Sequence, residues 1–160
     1  MADTSKKTII LFSGDMDKVL AAFVIANGAA AMGDDVTMFF TFWGLNSLRK
    51  SEKPKTTGKS FLQKMFTMMM PRGPEKLTLS HMNFAGAGPK LMKKVMRQQN
   101  VYSIDQMITM AKEQNIKMIA CTMSMDVMGL KPEELIDGLE YAGVATYLGE
   151  ADEANVNLFI

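Results

Sequence analysis

The feature that most restricts the fold lies in the first 45 residues. Residues 7–13 (KTIILFS) form a short, unbroken apolar run, rich in branched side chains and bounded by Gly14, which is the pattern of a strand buried on both faces. Residues 16–32 are apolar almost all round with Ala at many positions, so they read as a helix packed on a sheet and stopped by Gly33. A second strand is expected over 36–42 (VTMFFTF), followed by Trp43 and Gly44. Strand, helix and strand in so short a span make a βαβ unit, and hence parallel strands.

The rest of the chain continues the alternation. Residues 89–99 and 103–114 read as helices, the second capped by Ser103. Residues 117–120 read as a strand with Cys121 at its C-terminal end. Residues 132–141 read as a helix with Pro132 near its first turn, and 144–147 and 156–160 as the last strands. The expected fold is therefore α/β: three layers, α/β/α, around a mostly parallel sheet covered on both faces. The series is interrupted at about 50–74. A Lys-, Ser- and Thr-rich stretch with Pro54 and Gly58 precedes an amphipathic segment carrying Phe61, Leu62, Met65, Phe66 and Met69, which Pro71 to Pro74 end.

With 160 residues and 48% hydrophobic content, the chain suits one domain, 1–160, with that insertion. A single Cys excludes a disulfide scaffold. The longest oily segment, Val19 to Met32, is interrupted by Asn27 and Gly28 and is shorter than the roughly 20 residues of a spanning helix. No stretch near the start has a signal-peptide core, so a cytoplasmic location is expected.

The net charge of +1 conceals a segregation. Residues 49–97 carry twelve Lys and Arg against two acids, whereas residues 98–160 carry three against ten. The basic block lacks the stacking aromatics of a nucleic-acid surface, and no nucleic-acid partner is expected. A solvated face and an interaction surface, with one subunit's basic segment on another's acidic one, both remain open.

In parallel sheets, sites lie beyond the carboxyl ends of the strands. That rule singles out Ser13, Gly14 and Asp15 after the first strand, Trp43 and Gly44 after the second, and Cys121 and Thr122 after the later central one. The Ser13–Asp15 turn is not a phosphate loop, since neither glycine-rich fingerprint is present and Asp15 and Asp17 would repel a phosphate. It can equally be a plain strand-to-helix turn. Cys121 can be a small buried hydrophobe. Its strand-end position, ahead of Ser124 and Asp126 as caps of a short helix, alternatively places its sulfur near backbone N–H groups, which lower a thiol pKa and favour the nucleophilic thiolate. The only His, His81, lies in the irregular region and is expected on a surface loop, so an imidazole-assisted mechanism is not expected; a dithiol mechanism lacks its second Cys. No metal-ligand spacing occurs. What remains is chemistry that needs one thiol and no proton relay, such as carrying sulfane sulfur as a persulfide. Seventeen Met residues, several flanking Cys121 or clustered at 65–70, supply either core or an adaptable, polarizable lining.

Five segments taken in order carry a family resemblance: residues 13–18 (SGDMDK), 39–44 (FFTFWG), 68–73 (MMMPRG), 119–129 (IACTMSMDVMG) and 134–141 (ELIDGLEY). They resemble the DsrE/DsrF-like sulfur-relay family, in particular its longer branch, sometimes labelled peroxiredoxin-like, although the Thr-x-x-Cys context of a peroxidatic site is absent. The resemblance implies a flavodoxin-like fold, a homo-oligomer such as a trimer or hexamer, a persulfide on Cys121, no cofactor, and donor and acceptor proteins of the TusA and rhodanese type. The resulting expectation is a sulfurtransferase or persulfide carrier. The alternative is an oligomeric scaffold with a buried, non-catalytic Cys121, whose basic insertion docks a partner or touches a membrane surface.

Overall fold

The computed structural model describes residues 4–160. Five strands, β1 (Lys6–Leu11), β2 (Asp35–Phe40), β3 (Lys117–Cys121), β4 (Glu140–Ala142) and β5 (Val156–Phe159), form an all-parallel sheet in the order β4-β3-β2-β1-β5. The helices are α1 (Met16–Ala31), α2 (Phe61–Met69), α3 (Ala87–Gln98), α4 (Ile104–Glu113), α5 (Thr122–Met128) and α6 (Val144–Asp152), and a 3-10 segment, Phe42–Leu48, follows β2.

Alternation along the strands divides the core in two. Ile9, Leu11, Met38, Phe40, Met118 and Ala120 point to one face, where they meet Val19 and Phe23 of α1, Ile108 of α4 and Met125 of α5. Phe39, Ile119 and Cys121 point to the other face and meet Tyr147 of α6. The two faces are unequally covered, and the strand order explains why. From β1 to β4 the chain steps steadily toward one edge, and right-handed crossovers then place every connecting helix on the same face. Only the return from β4 to β5 crosses the opposite face. There the three layers thin to one nine-residue helix, and Phe159 stays 68% exposed, stacked on Phe12 with ring centroids 5.9 Å apart.

Three expected elements change. Residues 132–141 are not a helix: a 3-10 turn, Pro132–Glu134, leads into extended backbone and then β4. Here tertiary pairing overrides the helical pattern, because Lys50 N–H donates to Glu134 C=O (2.8 Å) and Ile136 N–H to Leu48 C=O (2.9 Å), and Gly138 turns the chain at φ +87°. Residues 144–147 are not a strand but the first turn of α6. The β-favouring Val, Thr and Tyr are held helical because Tyr147 must reach down to the sheet, where its hydroxyl meets Thr8 Oγ1 at 3.0 Å. The second strand ends at Phe40, and Phe42 enters the 3-10 segment at φ +44°.

The caps behave as expected at Ser103, which forms a capping box with Gln106, and Ser60 forms another with Gln63. Ser124 and Asp126 are not caps. The helix starts earlier, at Thr122, with Cys121 in the N-cap position and Ser124 buried inside the first turns.

Candidate functional site

The carboxyl end of the sheet gathers the candidate residues into two groups. In the first, the loops after β1 and β2 interlock. Gly44 N–H donates to Phe12 C=O at 2.9 Å, and a Cβ on Gly44 would lie 2.1 Å from Leu11 O. A Cβ on Gly14 would lie 2.9 Å from Trp43 O, so both glycines are required by close backbone approach. Ser13 Oγ accepts from Asp15 N–H at 3.1 Å, and Asp15 pairs with Lys18 at 3.0 Å without capping α1. Asp17, two residues on, accepts from both the hydroxyl and the amide of Ser80. Burial works against its charge, yet these bonds outweigh it and hold the carboxyl below the usual aspartate range. Trp43 is half-exposed at the rim.

The second group surrounds Cys121. The residue closes β3 opposite Ala142 of β4, and its side chain packs with Phe39, Ile119 and Tyr147 beneath α6, leaving it 2% exposed. Phe39 and Tyr147 sit with ring centroids 5.1 Å apart. Thr122, the next residue, is exposed. The two groups are joined through Thr41, whose hydroxyl lies 2.7 Å from that of Ser124 in α5. Ser13, Gly14 and Asp15 make no hydrogen bond to Cys121 or Thr122 among the described residues. His81 is exposed in an irregular segment, as expected. No cluster of three His, Cys, Asp or Glu residues able to hold a metal occurs among the described residues.

Sequence reasoning missed a third feature. Glu134, Arg49, Lys59 and Arg72 form a buried ionic cluster in which Lys59 Nζ lies 2.6 Å, Arg72 Nη2 3.7 Å and Arg49 Nη2 3.9 Å from the carboxylate of Glu134. Arg49 also donates to the carbonyls of Thr67, Met70 and Pro71, tying the end of α2 to the body. Arg72 and Glu134 each sit in a segment that carries the family resemblance, but the basic block reads in sequence as a solvated face or an interaction surface. Nothing in linear spacing links residue 49 to residue 134.

With this geometry in place, the comparisons become informative. The profile of the DsrE/DsrF/DrsH-like family matches residues 4–159. The chain belongs to that family. It is 57% identical to the uncharacterized protein YrkE of Bacillus subtilis over 157 residues, covering 98% of each chain. It is 35% identical to the sulfur carrier protein DsrE2 of Allochromatium vinosum over 162 residues, covering 99% of each. Among solved structures, the YchN protein of E. coli aligns with a TM-score of 0.60 at 13% identity, covering 99% of this chain and all of its own. MTH1491 of Methanobacterium thermoautotrophicum aligns with a TM-score of 0.51 at 12% identity, over 98% and 99%. These structural likenesses show the fold, which is the DsrE-like form of the α/β sandwich expected from sequence. The family and its sulfur-carrier member point to a role in sulfur relay.

Proposed function

We propose that the protein is a persulfide carrier, a sulfurtransferase in which Cys121 accepts sulfane sulfur and hands it to an acceptor thiol. The supporting observation is the position of this single Cys at the carboxyl end of β3, at the junction with α5, in a family with a sulfur carrier among its members. In the first half-reaction the Cys121 thiolate attacks the terminal sulfur of a donor persulfide R–S–SH. The donor S–S bond breaks, R–S⁻ leaves with the electron pair, and Cys121–S–SH remains. In the second, an acceptor thiolate attacks that terminal sulfur and Cys121 leaves as thiolate. Neither step needs a cofactor or a redox partner. The apolar pocket of Phe39 and Tyr147 would keep water from the reactive persulfide, and delivery requires α6 or its N-terminal loop to yield.

The fitting partners are small protein carriers of the TusA and rhodanese type, and the fitting state is a cytoplasmic homo-oligomer, trimeric or hexameric. The thinly covered sheet face and the exposed apolar residues of α2, including Met69 at 75%, call for burial against further copies. No helix among the described residues is long and apolar enough to cross a membrane. Incubation with a low-molecular-weight persulfide, followed by intact mass, should add sulfur to the wild type and none to Cys121→Ser. Undiminished transfer by that variant overturns the assignment.

The near-complete burial of Cys121 favours a second reading, an oligomeric scaffold with an inert thiol. Alkylation of the folded protein separates the two: a thiol silent to a small reagent supports the scaffold, and one that reacts and gains sulfur supports the carrier.

A further inference from the structure

The cluster around Glu134 does not balance. Three cations converge on one carboxylate, and two of their donors, Arg49 Nε and Arg72 Nη1, are buried without any hydrogen-bond partner. The Arg49 side chain is fully buried, that of Lys59 is 4% exposed and that of Arg72 18%, so water screens little of the excess charge. Burial lowers the Arg49 guanidinium to about 10, and the neighbouring charge of Arg72 pushes the same way against the pull of Glu134. A buried charge without a counter-charge is costly, and a buried donor without an acceptor adds to that cost.

The surplus opens onto a cleft. Lys59, Arg72 and Glu134 line a cavity of about 580 Å³ between α2 and the loop before it. Lys53, Lys55 and Lys64 add positive charge to its walls, and Phe61, Met65 and Met68 give it an apolar side. Glu134 is the only acid among the lining residues, and Cys121 is not one of them. A structural salt bridge would need neither the second and third cations nor the empty space in front of them.

We propose that this cleft binds a dianionic tetrahedral oxyanion group, of the phosphate or thiosulfate class, attached to or packed beside an apolar body. A dianion is drawn to a lining in which five cations, Lys53, Lys55, Lys59, Lys64 and Arg72, face the single carboxylate of Glu134. Oxyanion oxygens supply acceptors for Lys59 and for the guanidinium of Arg72, the lining group suited to bidentate recognition. A bare tetrahedral ion fills only part of the volume, and the Phe61 and Met65 side takes the remainder. The site is independent of Cys121, so it stands or falls separately from the sulfur-carrier reading.

The test is calorimetric titration of the full chain with thiosulfate, inorganic phosphate and phenyl phosphate, at constant ionic strength in chloride. Saturable binding at one site per chain is expected for at least one probe, weakened about tenfold or more by Lys59→Met and by Arg72→Gln, and unchanged by Cys121→Ser. Thiosulfate above phosphate identifies a sulfur oxyanion. Phenyl phosphate above phosphate, with the preference lost in Met65→Gln, identifies a phosphate ester. The exposed double variant Lys53→Gln/Lys55→Gln keeps the test valid if a cluster variant does not fold, and it should weaken binding by several-fold. Binding that never saturates, affinity unchanged in that double variant, or capture of an acidic peptide by these lysines with no affinity for any of the three probes overturns the proposal.

Discussion

Replacing Glu134 by Gln isolates the electrostatics of the cluster, because the amide keeps the shape of the side chain and removes only its charge. Three cations, with side chains 0, 4 and 18% exposed, then lose their common counter-charge. Removing one partner of a buried pair costs about 3–5 kcal/mol. Arg72 retains some water and the amide oxygen can still accept from Lys59, so the lower end, about 3 kcal/mol, is expected. With a urea slope of about 2 kcal/mol per M, the midpoint should fall by about 1.5 M at pH 7. The pH dependence gives a second readout. Burial pushes the Glu134 carboxyl up, but the hydrogen bonds from Lys59 Nζ and the Lys131 amide, with the charges of Lys59 and Arg49, outweigh it and hold the group below its ordinary value. A depressed folded pKa means that the stabilisation is complete above the unfolded value of about 4.3 and is lost as pH falls through the lower folded one. The gap between wild type and Glu134→Gln, followed by circular dichroism in urea, should therefore narrow as pH drops from 7 toward about 3. A midpoint shift below about 0.5 M at pH 7, or a gap independent of pH, would refute the account of an under-neutralised buried cluster.

Gly44→Ala places a Cβ 2.1 Å from Leu11 O and should cost at least about 1–3 kcal/mol, whereas Gly28→Ala, with nothing within 4 Å of its new Cβ inside α1, should stabilise by about 0.5–1 kcal/mol; thermal melts of the pair check both. Tyr147→Ala removes the ring that covers Cys121, so alkylation of the thiol should accelerate markedly while stability falls by about 3–5 kcal/mol; an unchanged rate would mean that α6 is not the barrier. Tyr147→Phe, which loses only the contact to Thr8, should cost about 1 kcal/mol and leave the alkylation rate nearly unchanged. Leu62→Asp with Met69→Lys, both on exposed positions of α2, should lower the mass seen by light scattering without loss of helical signal; an unchanged mass removes α2 from the assembly interface.

Much of this architecture was legible because it is local. The runs around Ile9 and Met38 are buried on both faces and therefore unbroken, and the Ala-rich helix between them ends where Gly33 takes φ +92°. The same reasoning places Cys121 at a strand end, and there it lies. What sequence could not convey was direction and depth. Period-two alternation turns the Cys121 side chain to the face beneath α6, and only the strand order reveals that α6 alone guards that face. The segment 132–147 defies a local reading because its conformation is dictated from outside: the Leu48 carbonyl and the Lys50 amide hold it against the 3-10 segment after β2, and Thr8 receives Tyr147. The pairing of Glu134 with Lys59 and Arg49 spans about half the chain and is invisible to any window.

The place of β5 has a consequence for biosynthesis. β1 can pair with β2 as soon as both are made, but its other edge waits for Val156–Phe159, which is available only after almost 150 more residues have been added. At about 5–20 residues per second, that edge stays open for roughly 7–30 s in every nascent chain, and an open apolar strand edge is a template for mispairing with neighbouring chains. The turn after β1 depends on the same late event, since the amides of Phe12 and Ser13 both donate to the carbonyl of Ile160. The loop that interlocks with Gly44 is thus fastened by a residue made almost 150 positions later, and ribosome stalling after β4 should yield chains in which β1 is protected from hydrogen exchange on one edge only.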